Sequence, residues 1–393
     1  MTSPGLAVCT PFVGLASETF VERHLTGLAP GHTLTVVSGM RMPSPAVWEP
    51  PGPVLRLEGA PPLAPARRQL GRVTAKLRGR PSGQWRWRPS PTDLERLAAA
   101  LDAAGVEVVL TEFLDVWLPL LPWLRARGHR VFAHAHGYDI SVRLREPWWR
   151  ERYRAYEHVD GIVTVSELSR QRLIALGLDG ERIRVVPCGV DVPAEPRLRP
   201  EGDTVEVLAV GRMVPKKHPL ATIEAFRRAA SGDPRLRLTM VGDGPLLEEA
   251  RAAVVGADLD DRVRLLGARS HDEVLQRLAG ADVFAQHSVV DPHTGDEEGL
   301  PVAVLEAMAA ALPVVSTRHA GIPEAVEEGT TGLLVQEGDV HGMASALAAL
   351  AGDASRRRAY GLAGHRRAAE RFSWAGERRA LRALLGLDAG VPA

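Results

Sequence analysis

Residues 283–316 read VFAQHSVVDPHTGDEEGLPVAVLEAMAAALPVVS and contain one complete strand–helix–strand unit. The apolar runs Val283–Ala285 and Val314–Ser316 have the length of buried strands, and the stretch Val302–Leu312 between them has the length of a helix. Parallel strands need a crossover of this kind, which is usually helical. The segment therefore predicts a parallel sheet with helices packed on its faces.

The same alternation continues on both sides of this unit. Further strands are predicted at Leu6–Cys9, Leu34–Val37, Val108–Leu110, Val131–Ala135, Ile162–Val165, Ile183–Val186, Val205–Val210, Leu236–Val241, Val263–Leu266 and Leu333–Val335. Helices are predicted between them, for example Leu94–Ala104, opened by Thr92 and Glu95 at capping-box spacing. A second example is Glu167–Leu176, which lies between Ser166 and Gly177.

The segment Pro193–Asp203 interrupts this alternation. It is rich in proline and charge and has no apolar periodicity, which is typical of an interdomain linker. The predicted fold class is therefore α/β, with one domain over residues 1–192 and a second over residues 204–371. Beyond Ala346 the sequence is rich in Ala, Arg and Leu, which predicts consecutive helices.

Composition excludes several classes of protein. The chain has 48 basic and 48 acidic side chains, so no net charge attracts nucleic acid, and none is expected as a partner. Apolar residues make up 45% and charged residues 24%, the balance of a globular protein. Cys9 and Cys188 are too few for a disulfide framework or a cysteine-based zinc site, which predicts a protein of the reducing cytosol.

No membrane span or signal peptide is expected. The most apolar long window, Val106–Leu124, contains Glu107, Glu112 and Asp115 and is interrupted by two prolines. The first ten residues lack a basic region and lead directly into the first predicted strand.

One segment departs from the even charge balance. Between Gly59 and Thr92 there are eight basic residues and no acidic one, together with Trp85 and Trp87. Such a segment attracts anionic lipid head groups or an anionic acceptor, which predicts peripheral contact with a membrane through residues 59–92. The alternative is a solvated surface loop.

The loop before the helix Val302–Leu312 has the features of an anion site. Gly299 lets ligand atoms approach the backbone, and Pro301 suits the first helical position, so that the amides at the helix start are free to donate. Glu298 precedes this point, and Glu306 lies about one turn inside the helix. Since carboxylates repel phosphate, we expect both to accept hydrogen bonds from sugar hydroxyls. Phosphate flanked by two sugars is the outline of a sugar nucleotide.

A second basic loop follows the predicted strand Val205–Val210. It contains Gly211-Arg212 and, four residues on, Lys216-Lys217. A guanidinium fork and ammonium groups at a helix start suit a diphosphate. The alternative is an ordinary exposed basic loop.

Two residues of the first half follow predicted strands in the same way. His136 comes directly after Val131–Ala135 and precedes Gly137, so that its imidazole can reach into a cleft. Gly14 follows the first strand. The alternatives are a structural histidine and a glycine that only makes the turn.

These motifs together resemble the family-4 retaining glycosyltransferases of GT-B fold. The matching runs are Ser17–Val21, His136–Asp139, Val186–Asp191, Gly211-Arg212 with Lys216-Lys217, Val241–Pro245, Glu298–Pro301, Glu306–Ala309, Pro313–Val315 and Gly321–Glu324. The first two runs are similar to the exopolysaccharide and colanic-acid-type subgroup. The resemblance implies two facing Rossmann-like domains, with the active site between them and residues 372–393 crossing back onto the first domain.

The resemblance also implies roles for residues of the second domain. Arg212 and Lys217 would hold the diphosphate, Glu306 the ribose hydroxyls and Glu298 the transferred sugar. The base would lie near the loop Gly267–Ser270.

The remaining implied contacts involve both domains. Backbone at Gly299 and Leu300 would receive phosphate. Gly14 would border the donor from the first domain, and the imidazole of His136 would approach the donor sugar. Since Pro11–Val13 replace the family's other glycines, Gly14 is the weakest match.

The implied activity is transfer of a sugar from a nucleotide-sugar donor to a hydroxyl of a glycan, lipid-linked or small-molecule acceptor, with retention at the anomeric carbon. The alternatives are a sugar-nucleotide epimerase or hydrolase of the same fold, and a non-catalytic sugar-nucleotide binder. No cofactor or metal is expected. Asp258-Leu259-Asp260 spells a DxD motif but lies outside the predicted cleft, and the histidines lack metal-ligand spacing such as H-E-x-x-H.

Overall fold

The computed structural model describes residues 5–15, 18–40, 42, 46–59, 87–196 and 199–388. Its contacts divide the chain into two units, residues 1–186 with 378–393 and residues 187–377. Each unit is built on one parallel sheet flanked by helices.

The sheet of the first unit has the order β3-β2-β1-β4-β5-β6-β7. Its strands are β1 Gly5–Thr10, β2 Thr33–Ser38, β3 Val54–Leu57, β4 Val106–Glu112, β5 Arg130–Ala135, β6 Gly161–Thr164 and β7 Ile183–Val185. The helices are α1 Thr19–Gly27, α2 Pro91–Ala103, α3 Leu114–Trp117, α4 Leu121–Ala126, α5 Tyr138–Arg145, α6 Pro147–Tyr153 and α7 Glu167–Ala175. Short 3-10 turns span Arg154–His158 and Gly180–Arg182.

The sheet of the second unit has the order β10-β9-β8-β11-β12-β13. Its strands are β8 Val205–Val210, β9 Leu236–Val241, β10 Val263–Leu265, β11 Val283–Gln286, β12 Val314–Thr317 and β13 Gly332–Val335. The helices are α8 Pro219–Ala230, α9 Leu247–Gly256, α10 His271–Ala279, α11 Val302–Ala309, α12 Ile322–Ala325, α13 Val340–Ala351 and α14 Ala354–Arg371, followed by α15 Trp374–Leu385. A 3-10 turn spans Pro215–Lys217.

Both sheets follow the doubly wound order in which the chain moves outward from the first strand and then returns to its other side. The reversal lies between β1 and β4 in the first unit and between β8 and β11 in the second. Ligands of open α/β sheets bind beyond the carboxyl ends of the strands at this reversal. A ligand site is therefore expected at the carboxyl edge of each sheet, beside this reversal.

The predicted α/β class and the predicted strands are confirmed, with small shifts at their ends. The prediction missed β3, an edge strand in which only Leu57 is buried, so that no apolar run marks it. The capping box of α2 is also shifted, because Ser90 and Asp93 form it instead of Thr92 and Glu95.

The described ends of the basic segment 59–92 are tied to the first unit. The backbone amides of Glu58 and Gly59 donate to Asp93 at 3.0 and 2.8 Å. Trp87 is partly buried, and its ring lies edge-on to Trp117 in the core, 5.4 Å between centroids. Trp87 therefore packs partly against the core of the first unit. Residues 60–86, including Trp85, lie outside the described residues.

The chain passes between the units after Val186 and again within α15. The amide of Gly189 donates to Glu377 at 2.7 Å, and Val190 bridges to Ser373, which groups residues 187–192 with the second unit.

Among the described helices, none combines the length and the apolar character that a membrane crossing requires.

Candidate functional site

The candidate site of the second unit lies at its switch point, where the chain leaves β8 and β11. Lys217 ends the turn Pro215–Lys217 after β8, and Gln286 is the last residue of β11. The Nζ of Lys217 donates to the Oε1 of Gln286 at 3.3 Å. Two neighbouring strand ends thus place a cation beside an amide at the carboxyl edge of the sheet.

Two glycines let the turns after β8 and β9 approach each other. Gly242 has a φ of 145°, and a Cβ there would lie 1.9 Å from the carbonyl oxygen of Gly211. A Cβ on Gly211 would lie 3.2 Å from the Cε of Lys217. The absence of both side chains therefore leaves the space that the Lys217 stem occupies.

Lys217 pairs with a carboxylate from the loop before α11. Its Nζ lies 3.2 Å from the Oε1 of Glu298, and the two side chains are 16% and 10% exposed. Burial lowers the pKa of Lys217, and so do the charges of Lys216 and Arg212, whereas Glu298 raises it. Burial alone would raise the pKa of Glu298, but the neighbouring cations, Lys217 first, hold it at about 2. Glu298 is therefore ionised at neutral pH.

The two adjacent lysines have different surroundings. Lys216 is buried, and its Nζ lies 3.0 Å from Asp296 and donates to the carbonyl oxygen of Glu297 at 3.0 Å. Lys216 therefore fastens the loop that precedes Glu298. The Arg212 side chain is exposed and has no hydrogen bond or ion pair to another described residue, which leaves its guanidinium open to a ligand.

A histidine fixes the backbone of the same loop. The amide of Glu298 donates to the Nε2 of His319 at 3.1 Å, so the proton of this imidazole is on Nδ1, which lies 2.7 Å from Glu337. The amide of Gly321 donates to the carbonyl oxygen of Gly299 at 3.0 Å. The loop around Glu298 and Gly299 is thus held from two sides.

The helix α11 begins at Val302, as predicted, but ends three residues earlier than predicted. Pro301 is the residue before the helix rather than its first residue, and no side chain caps the start. The helix ends at Ala309, because Ala311 adopts a positive φ of 59°. The first amides of an uncapped helix have no intrahelical acceptor, so they remain available to an anion beside Gly299 and Leu300.

Glu306 lies inside α11, nearly buried, and meets a residue of another segment. Its Oε1 lies 2.9 Å from the Nε2 of His271, and the two side chains are 8% and 36% exposed. His271 begins α10 and directly follows the loop Gly267–Ser270, near which the base was expected. The carboxylate expected to bind ribose is therefore adjacent to the loop expected to border the base.

In the first unit, Gly14 adopts a positive φ of 86° after β1. A Cβ there would lie 2.5 Å from the Cβ of Ala46 and 2.7 Å from the carbonyl oxygen of Trp48. Close approach of this neighbouring segment is sufficient to require glycine. Ser17, quoted in the family motif, lies outside the described residues.

His136 lies at the switch-point edge of the first unit, directly after β5. Its Nε2 lies 2.7 Å from the Oε2 of Glu112, the last residue of β4. The Oε1 of Glu112 lies 2.7 Å from the Nδ1 of His24 in α1. The backbone amide of His136 also donates to Asp139 at 3.1 Å. The imidazole is thus anchored at its ring and at its backbone.

The groups around His136 are buried and shift each other's pKa values. Burial lowers the pKa of His136 to about 4, because the charged form would lack water and would face other imidazoles. Burial alone would raise the pKa of Glu112, but His24 and His134 hold it well below its ordinary value. Burial and Asp115 raise the pKa of Asp139 to about 7.

The same cluster contains side-chain atoms of the kind that coordinate metal ions. Ligand atoms of His24, Glu112 and His134 lie within 4.8 Å of one another, and all three side chains are buried. The Nδ1 of His134 lies 3.3 Å from Glu112, yet neither ring nitrogen has a hydrogen bond of good geometry to the described residues. The sequence-based survey of histidines did not find this cluster.

Two family models match the chain on either side of the predicted linker. The model described as Glycosyltransferase Family 4 matches residues 18–193, and the model described as Glycosyl transferases group 1 matches residues 204–353. The chain belongs to the family-4 glycosyltransferases. The family resemblance seen in the sequence motifs is therefore confirmed.

Relatives with curated names place this family-4 chain near exopolysaccharide proteins. It is 37% identical over 217 residues to the putative colanic acid biosynthesis glycosyltransferase WcaL of Escherichia coli, covering 54% of this chain and 53% of WcaL. The match thus spans about half the length of that relative. It is 29% identical over 300 residues to a GDP-mannose-dependent alpha-(1-6)-phosphatidylinositol monomannoside mannosyltransferase of Mycobacterium tuberculosis, covering 73% of this chain and 77% of that protein.

A solved structure shares the fold of this family-4 chain. The crystal structure of Anabaena Alr3699/HepE in complex with UDP has a TM-score of 0.74 at 15% identity, covering 97% of this chain and 99% of that chain. The predicted GT-B fold class, with two Rossmann-like units, is confirmed by this likeness and by the strand order of both sheets.

The structure groups six of the eight predicted site residues in the second unit, around the ends of β8, β11 and the start of α11. These are Arg212, Lys217, Glu298, Gly299, Leu300 and Glu306. Gly14 and His136 belong to the first unit.

Sequence analysis missed Gln286, His319, His271 and Glu112 as partners of the predicted site residues. One signal was available for Gln286, since it is a polar residue at the end of an apolar strand.

Proposed function

We propose that the protein is a retaining, metal-independent glycosyltransferase that moves a sugar from a nucleotide diphosphate to a hydroxyl of a glycan, lipid-linked or small-molecule acceptor. The observation that supports it most is the pairing of Lys217 with Glu298 beside the exposed Arg212 and the uncapped start of α11. Cations and free amides suit a diphosphate, whereas the fixed carboxylate suits a sugar hydroxyl.

The second unit supplies the electrostatic part of the proposed reaction. When the bond between the anomeric carbon and the phosphate oxygen breaks, negative charge grows on the diphosphate. Lys217 and the amides at Gly299 and Leu300 are held in place to stabilise that charge, and the exposed guanidinium of Arg212 adds to it when the donor binds. The acceptor hydroxyl forms the new bond on the same face, and its proton passes to the departing phosphate oxygen, so the configuration is retained.

Glu298 and Glu306 bind hydroxyls in this proposal, on the transferred sugar and on the ribose respectively. Glu298 has its charge compensated by Lys217 and is not assigned as a covalent nucleophile. His136 of the first unit contacts the donor sugar, and Gly14 borders the donor.

The names of the relatives support the choice of donor and acceptor classes. The mycobacterial relative is named for GDP-mannose and a phosphatidylinositol mannoside, and the E. coli relative for colanic acid. HepE was solved with UDP and with UDP-glucose. We therefore propose a nucleotide-diphosphate hexose as donor and a polysaccharide precursor as acceptor.

A thermal-shift screen against UDP, GDP, ADP and TDP sugars and their free diphosphates tests the donor site. We expect one base to raise the Tm, since a ligand at 100 times its Kd stabilises a protein by about 2.7 kcal/mol. The shift should be unchanged in EDTA. No shift with any of them would contradict the donor proposal, and a shift abolished by EDTA would contradict metal independence. Free sugar released without acceptor would indicate a hydrolase.

A flotation assay tests peripheral membrane contact through residues 59–92. We expect vesicles containing anionic lipid to bind the protein, and replacement of the basic residues between 60 and 86 by glutamine to reduce that binding, because the attraction is about 1 kcal/mol per basic residue. A matched control replaces exposed arginines of α14. Equal binding of wild type and the neutralised variant would exclude the membrane contact.

A further inference from the structure

The carboxylate of Glu112 has both oxygens occupied by imidazoles. Its side chain is fully buried, with the Nδ1 of His24 at 2.7 Å from Oε1 and the Nε2 of His136 at 2.7 Å from Oε2. Glu112 is the last residue of β4, and in the β4–β5 pairing it lies opposite His134, two residues before His136. The sheet therefore fixes the distance between this carboxylate and the imidazole that follows β5.

We infer that Glu112 is a positioning residue that holds His136 with its proton on Nε2, leaving Nδ1 as a hydrogen-bond acceptor for a hydroxyl of the sugar substrate. The inference rests on the proposed function for the identity of the substrate. The tautomer itself depends only on groups of the first unit.

The tautomer follows from the chemistry of the contact. An ionised carboxylate only accepts hydrogen bonds, so a nitrogen 2.7 Å from it must carry a proton. Glu112 is ionised, because the neighbouring imidazoles hold its pKa well below the ordinary value. His136 is neutral at physiological pH, with a pKa of about 4, and a neutral imidazole has one proton. That proton is on Nε2.

The rest of the ring is held but open on one side. The Phe20 and Phe113 rings lie 4.2 and 4.7 Å from the His136 ring, centroid to centroid. Its Nδ1 makes no hydrogen bond within the part of the chain that the structure describes, and the residue keeps 8% of its surface exposed. A fixed, neutral acceptor recognises a hydroxyl and gives no charge to pair with a carboxylate.

A metal ion at His24, Glu112 and His134 is the competing explanation of the cluster. In a tetrahedral site with ligands at about 2.0–2.1 Å, ligand atoms lie about 3.3 Å apart. The His134–Glu112 distance of 3.3 Å matches that spacing, but the His24–Glu112 distance of 2.7 Å is shorter and has the length of a charge-assisted hydrogen bond. The geometry favours a hydrogen-bonded network.

Nitrogen NMR of the histidine side chains in the full chain, without substrate, measures the tautomer directly. We expect His136, assigned by comparison with His136→Gln, to be protonated on Nε2 only. Glu112→Asp keeps a carboxylate and should keep this tautomer. Glu112→Gln leaves one acceptor oxygen for the two imidazoles of His24 and His136, so the fraction of His136 protonated on Nδ1 should rise. His24→Gln, which changes the other partner of Glu112, is the matched control and should leave His136 unchanged.

Steady-state kinetics supply a second measurement. Outer partners that orient metal-bound imidazoles are worth roughly 10- to 100-fold. By analogy, we expect Glu112→Gln to lower kcat by roughly that factor with a small change in donor KM, and Glu112→Asp to recover part of it. Protonation of wild-type His136 on Nδ1, or one equivalent of zinc that Glu112→Gln loses, would overturn the inference whatever the activity. A missing donor shift in the thermal screen would overturn the proposed function alone.

Discussion

Replacing Lys217 with alanine is expected to lower kcat/KM for the nucleotide-sugar donor by roughly 100- to 1000-fold. Loss of one preorganised group that meets developing negative charge typically costs that factor. Lys217 is held at the end of β8 by Gln286 and Glu298, so no other lysine of this turn can replace it. Lys216 forms an ion pair with Asp296 instead. Steady-state transfer and the thermal shift with the preferred diphosphate measure the effect.

The same change also affects stability. The structure pairs Lys217 with a nearly buried Glu298. Removing one partner of a buried ion pair typically costs about 3–5 kcal/mol, and the nearby charge of Lys216 reduces that cost. We therefore expect Lys217→Ala to unfold at lower denaturant, and the double variant Lys217→Ala with Glu298→Gln to recover stability without recovering transfer.

The matched control is Arg251→Ala. This arginine lies on α9, half exposed, and pairs only across the helix surface with Glu248. It removes one positive charge from the same unit without touching the site, so transfer should stay within twofold of wild type and stability within about 0.5 kcal/mol. Wild-type turnover by Lys217→Ala would remove its proposed role in the diphosphate site.

The buried strands were the features most readily predicted from the sequence. A strand buried on both faces, such as Gly5–Thr10, contains a short apolar run, Leu6–Cys9, that the sequence alone reveals. The edge strand Val54–Leu57 has exposed and buried positions in so few residues that no pattern forms. Fold class was therefore predictable, and so was the N-cap Ser166 of α7, whereas the edge strand and the capping box of α2 were not.

Site partners were harder to predict, because periodicity does not specify which distant residues meet. Glu112 and Asp115 counted in the sequence only as charges that disfavour a membrane span. In the structure Asp115 pairs with the buried Arg143 at 2.9 Å, and Glu112 is hydrogen-bonded to two imidazoles. Both pairings arise when neighbouring strands and helices close around the same sheet edge. The partners of a buried acidic residue at a strand end can thus be identified only once the topology of the sheet is known.

Glu298→Gln is expected to separate donor binding from transfer. The amide keeps the shape of the side chain but removes the negative charge beside Lys217, so the diphosphate should bind as tightly as in wild type or more tightly. Transfer should fall by roughly 10- to 100-fold, because the hydroxyl that Glu298 orients would lose a charge-assisted hydrogen bond. Diphosphate binding by calorimetry and transfer under saturating donor measure the two effects.

Glu298→Ala supplies the matching comparison. It removes the same charge and also the hydrogen-bonding atoms, so diphosphate binding should persist while transfer falls further than in Glu298→Gln. If both variants lose diphosphate binding and transfer in parallel, Glu298 serves to place Lys217 and its proposed contact with the sugar is wrong. Wild-type transfer by either variant would contradict that contact outright.

The difference in free energy of unfolding between wild type and Glu298→Gln should depend on pH in a defined direction. In the folded protein the pKa of Glu298 is held at about 2, below its ordinary value of 4.5. The unfolded chain therefore binds the proton more readily, so the stabilisation from the ionised carboxylate is complete above pH 4.5 and is lost as the pH falls towards 2. The difference in free energy of unfolding between wild type and Glu298→Gln should shrink across this interval. A difference that is constant with pH would mean that Lys217 does not hold Glu298 ionised, and the electrostatic basis of the proposed donor site would fail with it.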